Sequence, residues 1–327
     1  MMDTRPKVLV TDPEYHKGEA CFTAASELEC LSAPGAEQEL AAAIRDVAGR
    51  YVIVGPGTYS GALYDAMPPG GVIARFGVGH DGINKKRATA RRLFCTNTPG
   101  VLDRSVAEHA MLLLAAGARH LISATTGMAN HAWQPRTGEE LHGKTLVVVG
   151  CGGIGREVAR IATLGYGMQV VGCVKPSATP RAIEHFQFVT NDFSEAVRAA
   201  NFISLHIPDI PDNRHFINRE RLTYFDSHAW LINTARGAVV DEAALFDALA
   251  GGKLGGAALD VFQREPYVPV DGNRDLRSLQ NVVLTPHVGS NTIEANHRMA
   301  ERALHNITLA VAGEFGKMDL LNREVLG

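Results

Sequence analysis

The chain has 327 residues, 46% hydrophobic and 20% charged, with a formal net charge of -3. That composition suits a globular protein of about two domains, each long enough to bury a core. The near-balanced charge excludes a general attraction to nucleic acid or acidic membranes, and no basic run forms a nucleic-acid arm. The five cysteines, Cys21, Cys30, Cys95, Cys151 and Cys173, form no CxxC pair. An odd, scattered set fits reduced thiols in a cytosolic protein better than a disulfide framework. The opening MMDTRPKVLV has too short an apolar run for a signal peptide. No apolar stretch reaches the roughly 18 residues that span a bilayer, so a cytoplasmic location is expected.

In chain order, the first strand signal is Val8-Leu9-Val10, ended by Thr11-Asp12-Pro13. Residues 37–48 have helical spacing, with Leu40, Ile44 and Val47 on one face. Tyr51-Val52-Ile53-Val54 is β-branched and stops at Gly55-Pro56-Gly57. Val72-Ile73-Ala74, ended by Gly77-Val78-Gly79, and Leu93-Phe94-Cys95-Thr96 follow. Strands separated by helical stretches predict parallel βαβ units. Residues 105–119 read as one helix, with Ser105 as N-cap and Glu108 completing a capping box. Its interior, 110–116, is apolar on nearly every face, so cover is expected on all sides, between domains or between subunits.

A second series starts at Thr145. Leu146-Val147-Val148-Val149 is a buried-strand run. Further strand candidates are Val170-Val171-Gly172-Cys173, Phe202-Ile203-Ser204-Leu205, Trp230-Leu231-Ile232, Ala257-Ala258-Leu259 and Val282-Val283-Leu284. This is the pattern of a doubly wound dinucleotide fold. Residues 292–312 are helical again. No linker of low complexity and no short-period repeat interrupts the chain.

Gly150-Cys151-Gly152-Gly153-Ile154-Gly155 matches GxGxxG between a buried strand and a helix over 156–164. Gly150 permits the tight turn, Gly152 lets a pyrophosphate approach the backbone, and Gly155 lets helix and strand pack closely. The free N–H groups of the helix start then bind phosphate oxygens. A carboxylate is expected about 20 residues further on, to hold the ribose hydroxyls of NAD. The second strand instead ends Gly172-Cys173-Val174-Lys175-Pro176-Ser177. Val174 takes the acidic position and Lys175 follows it. Losing the carboxylate removes repulsion of a 2′-phosphate, and Lys175, with Ser177 and Arg181, suits one. That favours NADP(H) over NAD(H); otherwise Lys175 is a solvated strand end and NAD is held less tightly.

Three downstream segments each follow a predicted strand: Asn233-Thr234-Ala235-Arg236-Gly237, residues 260–266 (DVFQREP) and residues 285–290 (TPHVGS). In open α/β sheets, ligand groups gather beyond the carboxyl ends of the strands. With RFGVGHDGIN at 75–84, SVAEHAMLLLAAGAR at 105–119, GKTLVVVGCGGIGREVAR at 143–160 and SLHIP at 204–208, these segments run through nearly the whole chain in order. The sequence resembles the D-isomer-specific 2-hydroxyacid dehydrogenase family. That resemblance implies hydride transfer between a nicotinamide dinucleotide and a small 2-keto or D-2-hydroxy acid. It implies two Rossmann-like or flavodoxin-like domains with a cleft between them. The substrate domain would comprise 1–99 plus 291–327, and the dinucleotide domain 100–290.

By the same resemblance, Arg236 binds the substrate carboxylate and polarises the carbonyl, a task suited to its planar fork. His287 is the acid for reduction and the base for oxidation. Glu265 bonds the far side of its ring, and that negative charge favours the imidazolium. The backbone amides of Val78 and Gly79 grip the substrate carboxylate as the cleft closes. For the coenzyme, Gly150, Gly152, Gly153, Ile154, Gly155 and Lys175 are joined by His206 and Pro208 beside the adenosine. Thr234 and Ala235 lie along the nicotinamide ribose, Asp260 near the carboxamide, and Arg236, His287 and Gly289 at the ring. The other histidines, His109 and His120 among them, show no metal spacing and HExxH is absent, so no metal is expected.

Within the family, Glu265 argues against formate-type members, which carry Gln there, and Val78 against a phosphite-oxidising member, which carries Lys. A glyoxylate or hydroxypyruvate reductase leads. A phosphoglycerate-type enzyme without a regulatory domain, or a dinucleotide-sensing corepressor-like binding protein, is the alternative. Relatives also suggest a homodimer built on the apolar 110–118 helix. Tyr59, His80 and the 267–274 loop are candidates for shaping the substrate pocket.

Overall fold

The computed structural model of the chain describes residues 5–327. Residues 1–4, which the sequence reading placed in the first domain, lie outside the described residues. The chain divides into two compact units, Met1–Leu102 with Asn291–Gly327, and Asp103–Ser290.

The first unit is built on five parallel strands: β1 (Lys7–Thr11), β2 (Glu29–Ala33), β3 (Tyr51–Val54), β4 (Val72–Arg75) and β5 (Phe94–Thr96). Their order, β2-β1-β3-β4-β5, is the flavodoxin-like arrangement. Leu9, Val52, Val54 and Ile73 pack with Leu40 and Ile44 of the Glu37–Asp46 helix. That helix ends before residue 48 because Ala48 takes a left-handed conformation (φ 49°). The Ile293–Val311 helix returns to this unit, N-capped by Thr292, whose hydroxyl accepts from Ala295 N–H. Its Met299, Ala300, Ala303 and Ile307 are buried, each large apolar side chain adding about 1.5–3 kcal/mol.

The second unit holds seven parallel strands: β6 (Thr145–Val149), β7 (Gln169–Cys173), β8 (Phe188–Thr190), β9 (Phe202–Leu205), β10 (Trp230–Asn233), β11 (Gly256–Leu259) and β12 (Val282–Leu284). Their order is β12-β11-β10-β9-β6-β7-β8, a doubly wound sheet whose direction of growth reverses between β6 and β9. Successive side chains on a strand face opposite ways. Val147 and Val149 therefore join Leu245 and Leu249 on one face, while Leu146 and Val148 join Leu113, Leu114 and Ala159 on the other.

One local expectation changes. The predicted 105–119 helix begins at Asp103, so Ser105 lies inside it, and its hydroxyl donates to Gly289 O (2.8 Å) instead of capping. In the single chain Leu112 of this helix is 58% exposed, which leaves that face to be covered by a second subunit if the expectation holds. Among the described residues no helix is long and apolar enough to cross a membrane, and no group of three or more His, Cys, Asp or Glu is placed to hold a metal.

Candidate active site

The phosphate loop leaves β6 at Gly150, whose φ of 99° is open to glycine alone without strain. A β-carbon there would lie 2.5 Å from the carbonyl oxygen of His206. Gly150 N–H donates to Cys173 O (2.9 Å) and His206 N–H to Val149 O (2.8 Å). The loop is thus pinned between β7 and β9, at the reversal of strand order. Gly152 then caps the Gly153–Tyr166 helix without any side-chain bond. The N–H groups of Gly153, Ile154 and Gly155 have no acceptor within the helix. Nothing within 4 Å stands over Gly152, so an anion has room to reach them. The residues fit a dinucleotide pyrophosphate.

Beyond β7, Val174 is half-buried and Lys175 exposed. A cavity of about 390 Å³ lies beside them, lined by Cys151, Arg156, Val174, Thr179 and Arg181, with no carboxylate in its wall. Arg156 and Thr179 were not singled out from sequence; only folding brings residues of the loop helix and the post-β7 segment together. At the end of β9, His206 Nε2 meets Ser204 Oγ at 2.8 Å. Burial pushes the His206 imidazole down to about 4, so it is neutral at ordinary pH. Pro208 is exposed, and its carbonyl accepts from Asn213 Nδ2 (2.9 Å).

The ends of β10, β11 and β12 carry the remaining groups. Asn233, fully buried, donates through Nδ2 to Arg236 O (2.9 Å) and accepts Ala235 N–H (3.0 Å). This closed turn sets where Arg236 leaves the sheet, a role for Asn233 that the sequence did not disclose. Thr234 Oγ1 is buried and has no hydrogen-bond partner among the described residues. An orphaned hydroxyl in the predicted coenzyme half also fits a bound group. Next, Gly237 lies against the backbone of Phe262, where a β-carbon would sit 1.8 Å from the carbonyl carbon. That contact brings the Arg236 turn beside the loop carrying Glu265.

Glu265 uses both oxygens. Oε1 accepts Phe262 N–H (3.0 Å) and Oε2 lies 2.6 Å from His287 Nδ1. Burial pushes its carboxyl up, but the bonds from His287 and Phe262 and the charges of His287 and Arg236 together hold it below the usual carboxylate range. Glu265 therefore feels both other members of the expected trio. About a third of each side chain remains exposed, 35% for His287 and 36% for Glu265. A cavity of about 530 Å³ opens beside them, walled by Phe262, Tyr267, Leu284 and Thr285. Asp260 is differently placed. Only 1% exposed, it spends both carboxylate oxygens on the loop that bears His287. Gly289, at the end of that loop, is buried.

In the first unit, the loop after β4 is fixed from behind. Gly77 N–H donates to Thr98 Oγ1 (3.1 Å) and Asn97 Nδ2 to Val78 O (2.8 Å). The N–H groups of Val78 and Gly79 have no protein acceptor among the described residues, and both residues are half-exposed.

Residues 110–289 match the family described as D-isomer specific 2-hydroxyacid dehydrogenase, NAD binding domain. The chain is 36% identical over 333 residues to the glyoxylate reductase of Thermococcus litoralis, covering 98% of each. It is 40% identical over 239 residues to the hydroxypyruvate reductase of Thermotoga maritima, covering 72% of this chain and 76% of that one. Its fold is similar to the crystal structure of the NADPH-dependent glyoxylate/hydroxypyruvate reductase of Sinorhizobium meliloti in complex with NADP and malonate. The TM-score is 0.79, with 29% identity and 94% of each chain covered.

Proposed function

The chain belongs to the D-isomer specific 2-hydroxyacid dehydrogenase family, and from that premise we propose that it reduces a small 2-keto acid of the glyoxylate or hydroxypyruvate type. The observation that carries this reading is the 2.6 Å approach of His287 Nδ1 to Glu265 Oε2. With Nδ1–H committed to the carboxylate, Nε2 is the ring nitrogen left to exchange a proton with substrate. The carboxylate thereby fixes the tautomer and orientation of the ring.

When bound, the dinucleotide supplies the hydride that reduces C2. His287 delivers the proton from Nε2 to the carbonyl oxygen and recovers it from solvent after product leaves. Arg236 binds the substrate carboxylate through its guanidinium fork and draws charge from the carbonyl. Within the first unit, the unspent amides of Val78 and Gly79 suit a carboxylate. Glycolate or glycerate oxidation reverses these roles, with neutral His287 as the base.

The Asp103–Ser290 unit would hold the coenzyme. Gly150, Gly152, Gly153, Ile154 and Gly155 would hold its pyrophosphate, His206 and Pro208 its adenosine, and Thr234 and Ala235 its nicotinamide ribose. Asp260 and Gly289 serve this half through the loop they hold in place. NADP(H) is preferred. Lys175 near the β7 end, the two arginines and Thr179 of the neighbouring cavity, and the lack of a carboxylate there all suit a 2′-phosphate. A homodimer is supported by the Leu121–Ala129 helix, which buries none of its residues and exposes Leu121, Ile122 and Met128. Five free cysteines support a reducing, cytoplasmic setting.

The test is a panel of glyoxylate, hydroxypyruvate, pyruvate and larger 2-keto acids, each with NADPH and NADH, followed by absorbance loss. Turnover of the smallest acids with NADPH is expected. No oxidation with any 2-keto acid would overturn the function, and a lower KM for NADH than for NADPH would overturn the coenzyme preference.

A further inference from the structure

We propose that His109 is a positioning residue for His287, acting through Thr285 and Asp260. The proposal rests on His287 being the proton-transferring group. His287 has a left-handed backbone (φ 53°), a conformation uncommon outside glycine that persists only where neighbours impose it.

Those neighbours are specific. His287 N–H donates to the Asp260 backbone oxygen (2.8 Å). Val288 N–H donates to Asp260 Oδ1 (2.9 Å) and Gly289 N–H to Oδ2 (2.8 Å). Thr285 Oγ1 donates to Oδ1 (2.6 Å). One buried carboxylate thus fastens the loop on both sides of His287. Such a carboxylate is stable only while its lone pairs are satisfied.

His109 completes that satisfaction from the Asp103–Ala118 helix. Its Nε2 lies 3.1 Å from Thr285 Oγ1 and 3.3 Å from Asp260 Oδ1. Thr285 has a single hydroxyl proton, already given to Asp260, so its oxygen offers His109 only lone pairs. Nε2 of His109 therefore carries a proton and donates toward both. The same helix grips the far end of the loop through Ser105 Oγ, which donates to Gly289 O. His109 is 13% exposed at the side chain, so water does not readily replace its N–H. Burial pushes Asp260 up, yet the bonds from His109, Thr285, Val288 and Gly289 hold it below the usual range, consistent with an ionised anchor.

The experiment compares His109→Ala and His109→Gln in the full chain, reading steady-state kinetics, NADPH binding and amide exchange at Val288 and Gly289. His109→Ala is expected to lower kcat about 10- to 100-fold, shift substrate KM and NADPH Kd less than about threefold, and speed exchange of both amides. Gln can place its Nε2 donor near that of the imidazole, and is expected to restore kcat and exchange toward wild type. Unchanged kcat and exchange in His109→Ala, or Gln behaving like Ala, would overturn the proposal. Should His109→Ala not fold, Thr285→Val removes the bridging hydroxyl at nearly constant shape and is read by the same criteria. If the wild-type chain turned over no 2-keto acid, the catalytic reading would fail, while amide exchange would still decide whether His109 holds the loop.

Discussion

His287 Nδ1 and Glu265 Oε2 are 2.6 Å apart, and the second oxygen of Glu265 is tied to Phe262 N–H. Glu265→Gln keeps an acceptor for the ring but removes the charge beside it, and kcat is expected to fall by about 10²-fold or more. In the wild type, Glu265 is held below the usual carboxylate range, so it stays ionised until the pH falls beneath that range. A kcat unchanged in the variant would show that the carboxylate does not act on the ring.

Gly237 packs on the backbone of Phe262 with no room for a methyl group. Gly237→Ala must push the Arg236 turn away from the Glu265 loop. Overpacking of this kind costs about 1–3 kcal/mol. Urea denaturation should show that loss together with a fall in kcat, and a variant as stable and active as wild type would contradict the packing described.

Arg181 lines the cavity beside the β7 end with Arg156 and Thr179. Removing one charge-assisted bond costs about 1.5–3 kcal/mol, so Arg181→Ala should raise the KM for NADPH about tenfold or more. The KM for NADH should stay put. Equal effects on the two coenzymes would place the 2′-phosphate elsewhere.

His206 is held neutral by burial, titrating at about 4 against an ordinary 6.5. Between those two values the unfolded chain binds a proton that the folded chain does not. Folding stability should therefore fall as pH drops from 6.5 toward 4. His206→Asn should flatten that part of the curve, as measured by urea midpoints across the range. An unchanged slope would mean that the ring protonates without cost in the fold.

Much of the framework was legible because periodicity is a local signal. β3, β9 and β12 coincide with the apolar runs at 51–54, 202–205 and 282–284, and the phosphate loop declares itself by its glycines. β2 and β8 escaped notice for one reason. Each is an edge strand paired on one side only, its burial is partial, and it needs no continuous apolar run. Ser105 was misread because a side chain near a helix start satisfies the capping pattern whether or not it caps, and its true partner lies 184 residues away. The partners of Asp260 are equally hidden from its motif, since the N–H groups that bond its oxygens come from the next strand's loop. Tertiary neighbours of that kind leave no trace in local spacing.

The order of strands along the chain has its own consequence for biogenesis. The peptide departs from the first unit at Leu102 and re-enters it at Asn291. A ribosome therefore synthesises every strand of the seven-stranded sheet before it makes the Ile293–Val311 helix that packs on β4. Asn322 arrives later still. It accepts Cys95 N–H and donates to Leu93 O, stitching the tail to β5. The first unit is thus finished last although it is begun first, and a chain ending near residue 290 would hold every strand of the seven-stranded sheet while its first unit lacked the closing helix and tail.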